Sequence, residues 1–165
     1  IINTVLKADM ASPELVRLAT KYMTQLNRRA SEIALKYDIS CGTDITGFGL
    51  LGHLVEMIQG SSLGAVIHYN KIIILPEVLD FANMGLVPAG AHNNKNYRSC
   101  YINNFSEHPA EKMDILFDPQ TSGGLLLGVN PSQAESMLKE LLAAGIDAYI
   151  CGNFSSDVSK IEVEF

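Results

Sequence analysis

No regular helix can run through residues 41–49. The stretch Cys41-Gly42-Thr43-Asp44-Ile45-Thr46-Gly47-Phe48-Gly49 holds three glycines in nine residues, and each glycine in a helix interior costs about 1 kcal/mol relative to alanine. Helical spacing is kept on both sides of it. Upstream, Ser12-Pro13-Glu14 supplies a cap, a proline at the first helical position and an acid in the first turn. Leu15, Leu18, Ala19, Tyr22, Leu26, Ala30, Ile33, Ala34 and Tyr37 then predict one long helix over residues 13–37. Downstream, Leu50, Leu51, Leu54, Val55 and Ile58 resume the spacing until Gly60. The intervening stretch reads as a glycine-rich loop that feeds a helix N-terminus.

Asp118-Pro119-Gln120-Thr121-Ser122-Gly123-Gly124 is a second such loop. It leads into the apolar run Leu125 to Val129, a buried strand. Asn130-Pro131-Ser132-Gln133 opens a helix to Ala144, stopped by Gly145, and Ile146 to Cys151 reads as a strand. This predicts a β-α-β unit, right-handed if its strands are parallel. Between the loops the pattern predicts a strand over 63–75, a short helix over 77–84, a polar turn region over 88–96, a strand from Tyr97 to Ile102, a loop over 103–109 and a helical turn or two over 110–116. Val158 to Val163 reads as an edge strand and residues 1–10 as an extended lead-in. These elements predict an α+β or layered α/β domain.

The 165 residues fit one domain, which at this size buries about 70% of the surface exposed by its unfolded chain. Lys and Arg number only 12 against 18 acidic residues, and Arg28-Arg29 is their only adjacent pair; no nucleic-acid partner is expected from so sparse a positive surface. No stretch reaches the length of a membrane helix, so no membrane partner is expected. Cys41, Cys100 and Cys151 lack Cys-x-x-Cys spacing. They predict free thiols and a cytoplasmic setting rather than disulfides or a zinc knuckle. The opening Ile1-Ile2-Asn3-Thr4 is read as a piece of a longer chain.

Two readings of the first loop stand side by side. A carboxylate before a helix N-terminus can hold magnesium, which prefers oxygen ligands and keeps several waters. Thr43 and Thr46 offer hydroxyls, and free N–H groups of the following turn can meet phosphate oxygens. Alternatively, Asp44 or Thr46 caps the helix and the glycines supply turn dihedrals. Gly47-Phe48-Gly49-Leu50-Leu51-Gly52 spells G-x-G-x-x-G, but neither a clean preceding strand nor a suitable following β-α-β unit is visible, so no dinucleotide fold is inferred. In the second loop, Thr-Ser-Gly-Gly allows close approach to an anion or to another loop; otherwise it is a tight entry to a strand, with Asp118 satisfied by local N–H groups. His53 reads as a packed or half-exposed helix residue, and no histidine pair has ligand spacing. No catalytic residue is assigned.

Thr43-Asp44-Ile45-Thr46-Gly47-Phe48-Gly49-Leu50-Leu51-Gly52-His53 and Asp118 to Leu126 resemble the two signatures of the selenophosphate synthetase family. Thr4 to Lys7, Met23 to Asn27 and Pro88 to Asn94 resemble it too, so the likeness covers nearly the whole chain. The resemblance implies a single C-terminal domain over 1–165, with 1–12 a lead-in from an interdomain segment. It also implies a three-layer α/β/α domain with a mixed, partly ferredoxin-like sheet, as in aminoimidazole ribonucleotide synthetase. The family converts ATP, selenide and water to selenophosphate, AMP and orthophosphate. Its nucleophilic Cys or selenocysteine lies in an N-terminal ATP-binding domain, so this chain alone is expected to be inactive. That domain is the implied partner, and a homodimer of the full enzyme is allowed. By resemblance, Asp44 is a magnesium ligand, with Thr43, Thr46 and Gly47 as companions at the ATP phosphates. The alternatives are another ATP-dependent synthetase or kinase of the superfamily, or a nonenzymatic binding domain.

Overall fold

The computed structural model describes residues 1–156 and 160–165. Its elements confirm an α+β domain, with the strands divided between two small sheets. In the first, β1 (Ile39–Asp44) pairs antiparallel with β3 (Leu125–Val129). In the second, β2 (Gly64–His68) lies between antiparallel β4 (Gly152–Ser155) and parallel β5 (Ile161–Glu164). The second sheet is therefore mixed, and β5 is an edge strand as expected. Val158 and Ser159, which the sequence also assigns to that strand, lie outside the described residues.

Three apolar clusters hold the described residues together. The largest joins α4 (Gly49–Ile58), through Leu51, Leu54, Val55 and Ile58, to Ala65, Ile67, Ile161 and Val163 of the mixed sheet. Met113 and Leu116 of α7 (Ala110–Leu116), followed by Phe117, complete it. A second cluster packs Val5 of α1 (Ile2–Lys7) and Leu15 of α2 (Pro13–Thr24) on Val78, Phe81 and Ala82 of α5 (Val78–Asn83). The third sets Ile33 and Ala34 of α3 (Arg28–Ala34) against Met137 and Leu141 of α8 (Pro131–Ala143), over Ile39, Leu127 and Val129.

This division explains why the long helix expected over 13–37 is two helices. Gln25 is extended (ψ 121°), and the break at 25–27 sends α2 to the second cluster and α3 to the third. Within the break, the Asn27 side chain donates to the Gly123 carbonyl at 3.0 Å. One straight helix could not reach both clusters. Residues 1–10 are likewise not an extended lead-in: α1 forms because Val5 is buried against the second cluster.

Other expectations are corrected by tertiary contacts. The polar stretch 88–96 belongs to α6 (Ala89–Arg98), which packs against α4 and α7 and buries Ala91 completely. Those contacts override the weak helix propensity of its asparagines. No strand runs from Tyr97 to Ile102; only Ile102 bridges, to Ile161. Ile72–Ile74 fall after a 3-10 turn at Tyr69–Lys71 instead of extending β2. Residues 146–151 are not a strand, and β4 follows them in the other sheet. The expected β-α-β unit is therefore absent, because β3 and β4 never share a sheet.

Phe117 is fully buried while Leu35 is 82% exposed. Phe117→Ala is expected to destabilise the domain by about 3–5 kcal/mol, and Leu35→Ala by less than about 0.5 kcal/mol. Urea unfolding of both variants beside the parent chain measures the contrast.

Candidate functional site

The two signature loops meet in space because they extend the β1–β3 ladder. Its register sets Thr43 opposite Leu126 and Asp44 opposite Leu125. Beyond it, Ile45 N–H donates to the Gly124 carbonyl at 2.9 Å, and Gly123 N–H to the Ile45 carbonyl at 3.0 Å. Gln120 N–H then donates to the Thr46 carbonyl at 2.9 Å. A Cβ at Gly123 would lie 2.4 Å from the Ile45 carbonyl oxygen, so this crossing requires glycine. The second loop is thus a support for the first, which favours the loop-to-loop reading of its glycines.

The stretch read as one glycine-rich loop over 41–49 is a strand as far as Asp44, followed by a four-residue turn. A strand does precede G-x-G-x-x-G, contrary to expectation. The dinucleotide reading still fails, since β1 pairs antiparallel with β3 and not with the strand after α4. Helix α4 starts at Gly49 with φ +71°, and a Cβ there would lie 2.7 Å from the Phe117 backbone.

Asp44 sits exposed at the end of β1. Its carboxylate makes no hydrogen bond or ion pair among the described residues. The N-cap of α4 is Phe48, with no side-chain cap bond, so neither Asp44 nor Thr46 caps the helix. The helix-cap alternative is thereby removed. The Thr43 hydroxyl donates to the Asp44 carbonyl at 3.1 Å. The Thr46 hydroxyl lies 3.2 Å from His53 Nε2, so both hydroxyls are engaged locally. Gly47 is exposed, its carbonyl accepts from the Asn94 side chain at 2.9 Å, and the space where its Cβ would stand is open to 4 Å. The backbone N–H groups of Gly47 and Phe48 have no acceptor among the described residues. Thr43 and Asp44 thus close β1, and Thr46 and Gly47 stand on the turn that follows it, with the Asp44 carboxylate and the Gly47 and Phe48 N–H groups unpaired among the described residues.

Residues not selected from the sequence hold this turn. His53, 7% exposed, accepts from Thr46 N–H at Nε2 (3.1 Å), and its Nδ1 faces Glu56 Oε2 at 3.1 Å. Asn94 bridges the loops by donating also to the Phe117 carbonyl at 3.1 Å. The i,i+3 spacing of His53 and Glu56 was the available signal; their target in the turn was not.

Asp118 is buried beneath the second loop. It accepts from the Ile1 nitrogen at 2.5 Å and from the Gln120 amide at 3.3 Å. Burial pushes its carboxyl above the usual carboxylate range, and the hydrogen bond from Gln120 draws it only part of the way back. Three metal-binding His, Cys, Asp or Glu side chains do not converge anywhere among the described residues. No helix among them is long and apolar enough to cross a membrane.

The paired loops set the exposed Asp44 carboxylate at the junction of β1 and α4 in an α+β domain. Residues 4–163 match the family described as "AIR synthase related protein, C-terminal domain", and the chain belongs to that family. It is 42% identical over 147 residues to a protein of Pelobacter propionicus named "Selenide, water dikinase", covering 89% of this chain and 42% of that protein. A protein of the same name from Treponema denticola is 44% identical over 144 residues, covering 87% of the chain and 40% of the relative. A third, from Carboxydothermus hydrogenoformans, is 37% identical over 164 residues, covering 99% and 48%. The family resemblance carried by the two signatures is borne out, and the chain spans less than half the length of these relatives.

Two expectations follow. Gly49→Ala combines a left-handed alanine, about 1–3 kcal/mol, with overpacking against Phe117, about 1–3 kcal/mol more. Gly47→Ala, in open space, changes stability by less than about 1 kcal/mol. Thermal melts of the two variants test this difference.

The second concerns pH. Because the Asp118 carboxyl is raised in the folded state, the native state binds its proton more tightly than the unfolded chain. Its stabilising contribution is then complete below the unfolded carboxylate pKa, about 3.9, and is lost as pH rises through the higher folded value. Asp118→Asn removes this loss. The melting temperature of the variant minus that of the parent is expected to become more positive across that window, as read from paired melts at several pH values.

Proposed function

We propose that this chain is the C-terminal domain of a selenide, water dikinase and that its Thr43–Gly49 turn is one half of a magnesium–phosphate site. One observation carries the reading: among the described residues, the Asp44 carboxylate and the Gly47 and Phe48 N–H groups are left unpaired where β1 runs into α4, while the neighbouring polar groups are engaged. The donor set fits magnesium. A single carboxylate is a normal protein contribution where waters and phosphate oxygens complete the shell. With no three-residue cluster among the described residues, the remaining protein ligands belong to the ATP-binding domain expected in the longer protein.

In this reading Asp44 holds the ion, and the Gly47 and Phe48 N–H groups donate to phosphate oxygens. Thr43 and Thr46 act through the shape of the turn, since their hydroxyls are already engaged. When bound, magnesium would neutralise charge on the phosphate oxygens of ATP. The selenide-dependent activity belongs to the whole protein. The free thiols of Cys41, Cys100 and Cys151 suit a cytoplasmic setting.

The test is Asp44→Asn in the full-length protein, which keeps size and removes charge. Selenide-dependent formation of AMP from ATP is expected to fall about 100-fold, which is about 2.7 kcal/mol in the barrier, and to require more magnesium. The melting temperature should scarcely move, because no fold contact is lost. Equal rates of mutant and parent at subsaturating magnesium would overturn the proposal.

A further inference from the structure

The turn is held by a relay of side chains, from Arg98 of α6 through the exposed Glu56 to the buried His53. The backbone N–H of Thr46 can only donate, so the His53 Nε2 it meets at 3.1 Å must accept. The imidazole is then neutral with its proton on Nδ1, which donates to Glu56 Oε2 at 3.1 Å. The other oxygen of Glu56 accepts from Arg98 Nη2 at 3.4 Å, and Arg98 Nη1 donates to Gln59 Oε1 at 3.2 Å. Arg98 is 8% exposed, with its guanidinium 4.7 Å from the centre of the Tyr97 ring and 6.0 Å from that of Phe48. Phe48 also leans on the His53 ring, with centroids 5.4 Å apart.

Asn94 and Arg98 stand four residues apart on α6, a spacing that shares one helix face. Asn94 fixes the Gly47 carbonyl directly, and Arg98 fixes the Thr46 N–H through Glu56 and His53. The Thr46 carbonyl is taken by Gln120 N–H and Gly49 N–H. Every backbone hydrogen-bonding group from the Thr46 N–H to the Gly47 carbonyl is therefore engaged except the Gly47 N–H, assigned above to phosphate.

We infer that His53 is a positioning residue: held as the Nδ1–H tautomer by Glu56 and Arg98, it sets the Thr46–Gly47 peptide and, two residues upstream, the Asp44 carboxylate. The inference rests on reading this turn as the magnesium–phosphate half-site. Partners that orient a metal ligand without touching the metal typically change affinity or activity by about 10–100-fold when lost.

The experiment uses the full-length protein with His53→Phe, His53→Gln, Glu56→Ala and Asp44→Asn. Phe fills the ring's space without an acceptor; Gln restores an acceptor near Nε2. Two quantities are measured: magnesium dependence of ATP turnover, and hydrogen exchange of the Thr46 amide without metal or nucleotide. Faster Thr46 exchange and a magnesium requirement raised about 10-fold are expected for His53→Phe, with both largely restored in His53→Gln. Glu56→Ala, at a partly exposed position, should shift both in the same direction and serves if the Phe variant folds poorly. Unchanged Thr46 exchange in His53→Phe and Glu56→Ala overturns the inference. So does an unchanged magnesium requirement in both while Asp44→Asn raises it, which leaves the half-site reading standing. An unchanged requirement in Asp44→Asn itself overturns the half-site reading, and the inference with it.

Discussion

Everything at the site depends on the pairing of β1 with β3. Two motifs about seventy residues apart in sequence become one surface only because Asp44 faces Leu125 and the chains keep exchanging hydrogen bonds past the ladder's end. A one-residue slip would turn each strand's side chains to the opposite face. It would also carry Ile39, Leu127 and Val129 away from the cluster formed by α3 and α8. The burial of that cluster and the position of Asp44 are consequences of the same register. At the crossing, Gly123 lets the second loop reach the Ile45 carbonyl.

The sequence made some elements legible and hid others for physical reasons. α4, α8 and β3 carry strong local signals, an apolar stripe or a bounded β-favouring run, and the structure contains each of them, while the turn or two expected over 110–116 is the full helix α7. The α2–α3 break has no such signal. Leu26, which keeps the helical spacing, is 78% exposed, so it contributes nothing to either cluster. What ends α2 is that Leu15 and Ile33 are claimed by different cores. α6 is the reverse case: Pro88, Gly90 and three asparagines read as a turn, yet burial of Ala91 and contact with α4 and α7 form a helix. β1 reads as loop from the sequence because three glycines in residues 41–49 exclude a helix and carry no strand signal of their own, while its partner β3 supplies the ladder.

The site shows the same division. Asp44 could be selected from the sequence because its motif is distinctive, but metal binding and helix capping were both open. Geometry removes the second, since the N-cap of α4 is Phe48 and no side chain caps the helix. Thr43 and Thr46 were selected as hydroxyl donors, whereas both hydroxyls are turned to protein atoms. His53 was read as a packed helix residue, which it is at 7% exposure. Its role follows only from the atom it faces, and that atom lies seven residues away across a turn whose path the sequence does not fix.

Placing the constraints beside the unpaired groups suggests why the turn is built this way. A buried N–H without an acceptor costs about 1–3 kcal/mol, so an acceptor for the half-buried Thr46 amide matters to the fold. Gly47 and Phe48 are exposed residues, so water can serve their amides and leaving them without protein partners costs the isolated domain little. A turn with all its donors engaged would be stable and inert. One with none engaged would have to be ordered when the ligand arrives, at roughly 1–2 kcal/mol per residue in backbone entropy. Holding Thr46 and the Gly47 carbonyl from α4, α6 and the second loop, while leaving Asp44 and two amides open, meets that entropy cost during folding. In the proposed half-site reading, the donors are then fixed before the phosphate charge comes near, which is where electrostatic preorganisation gains its effect.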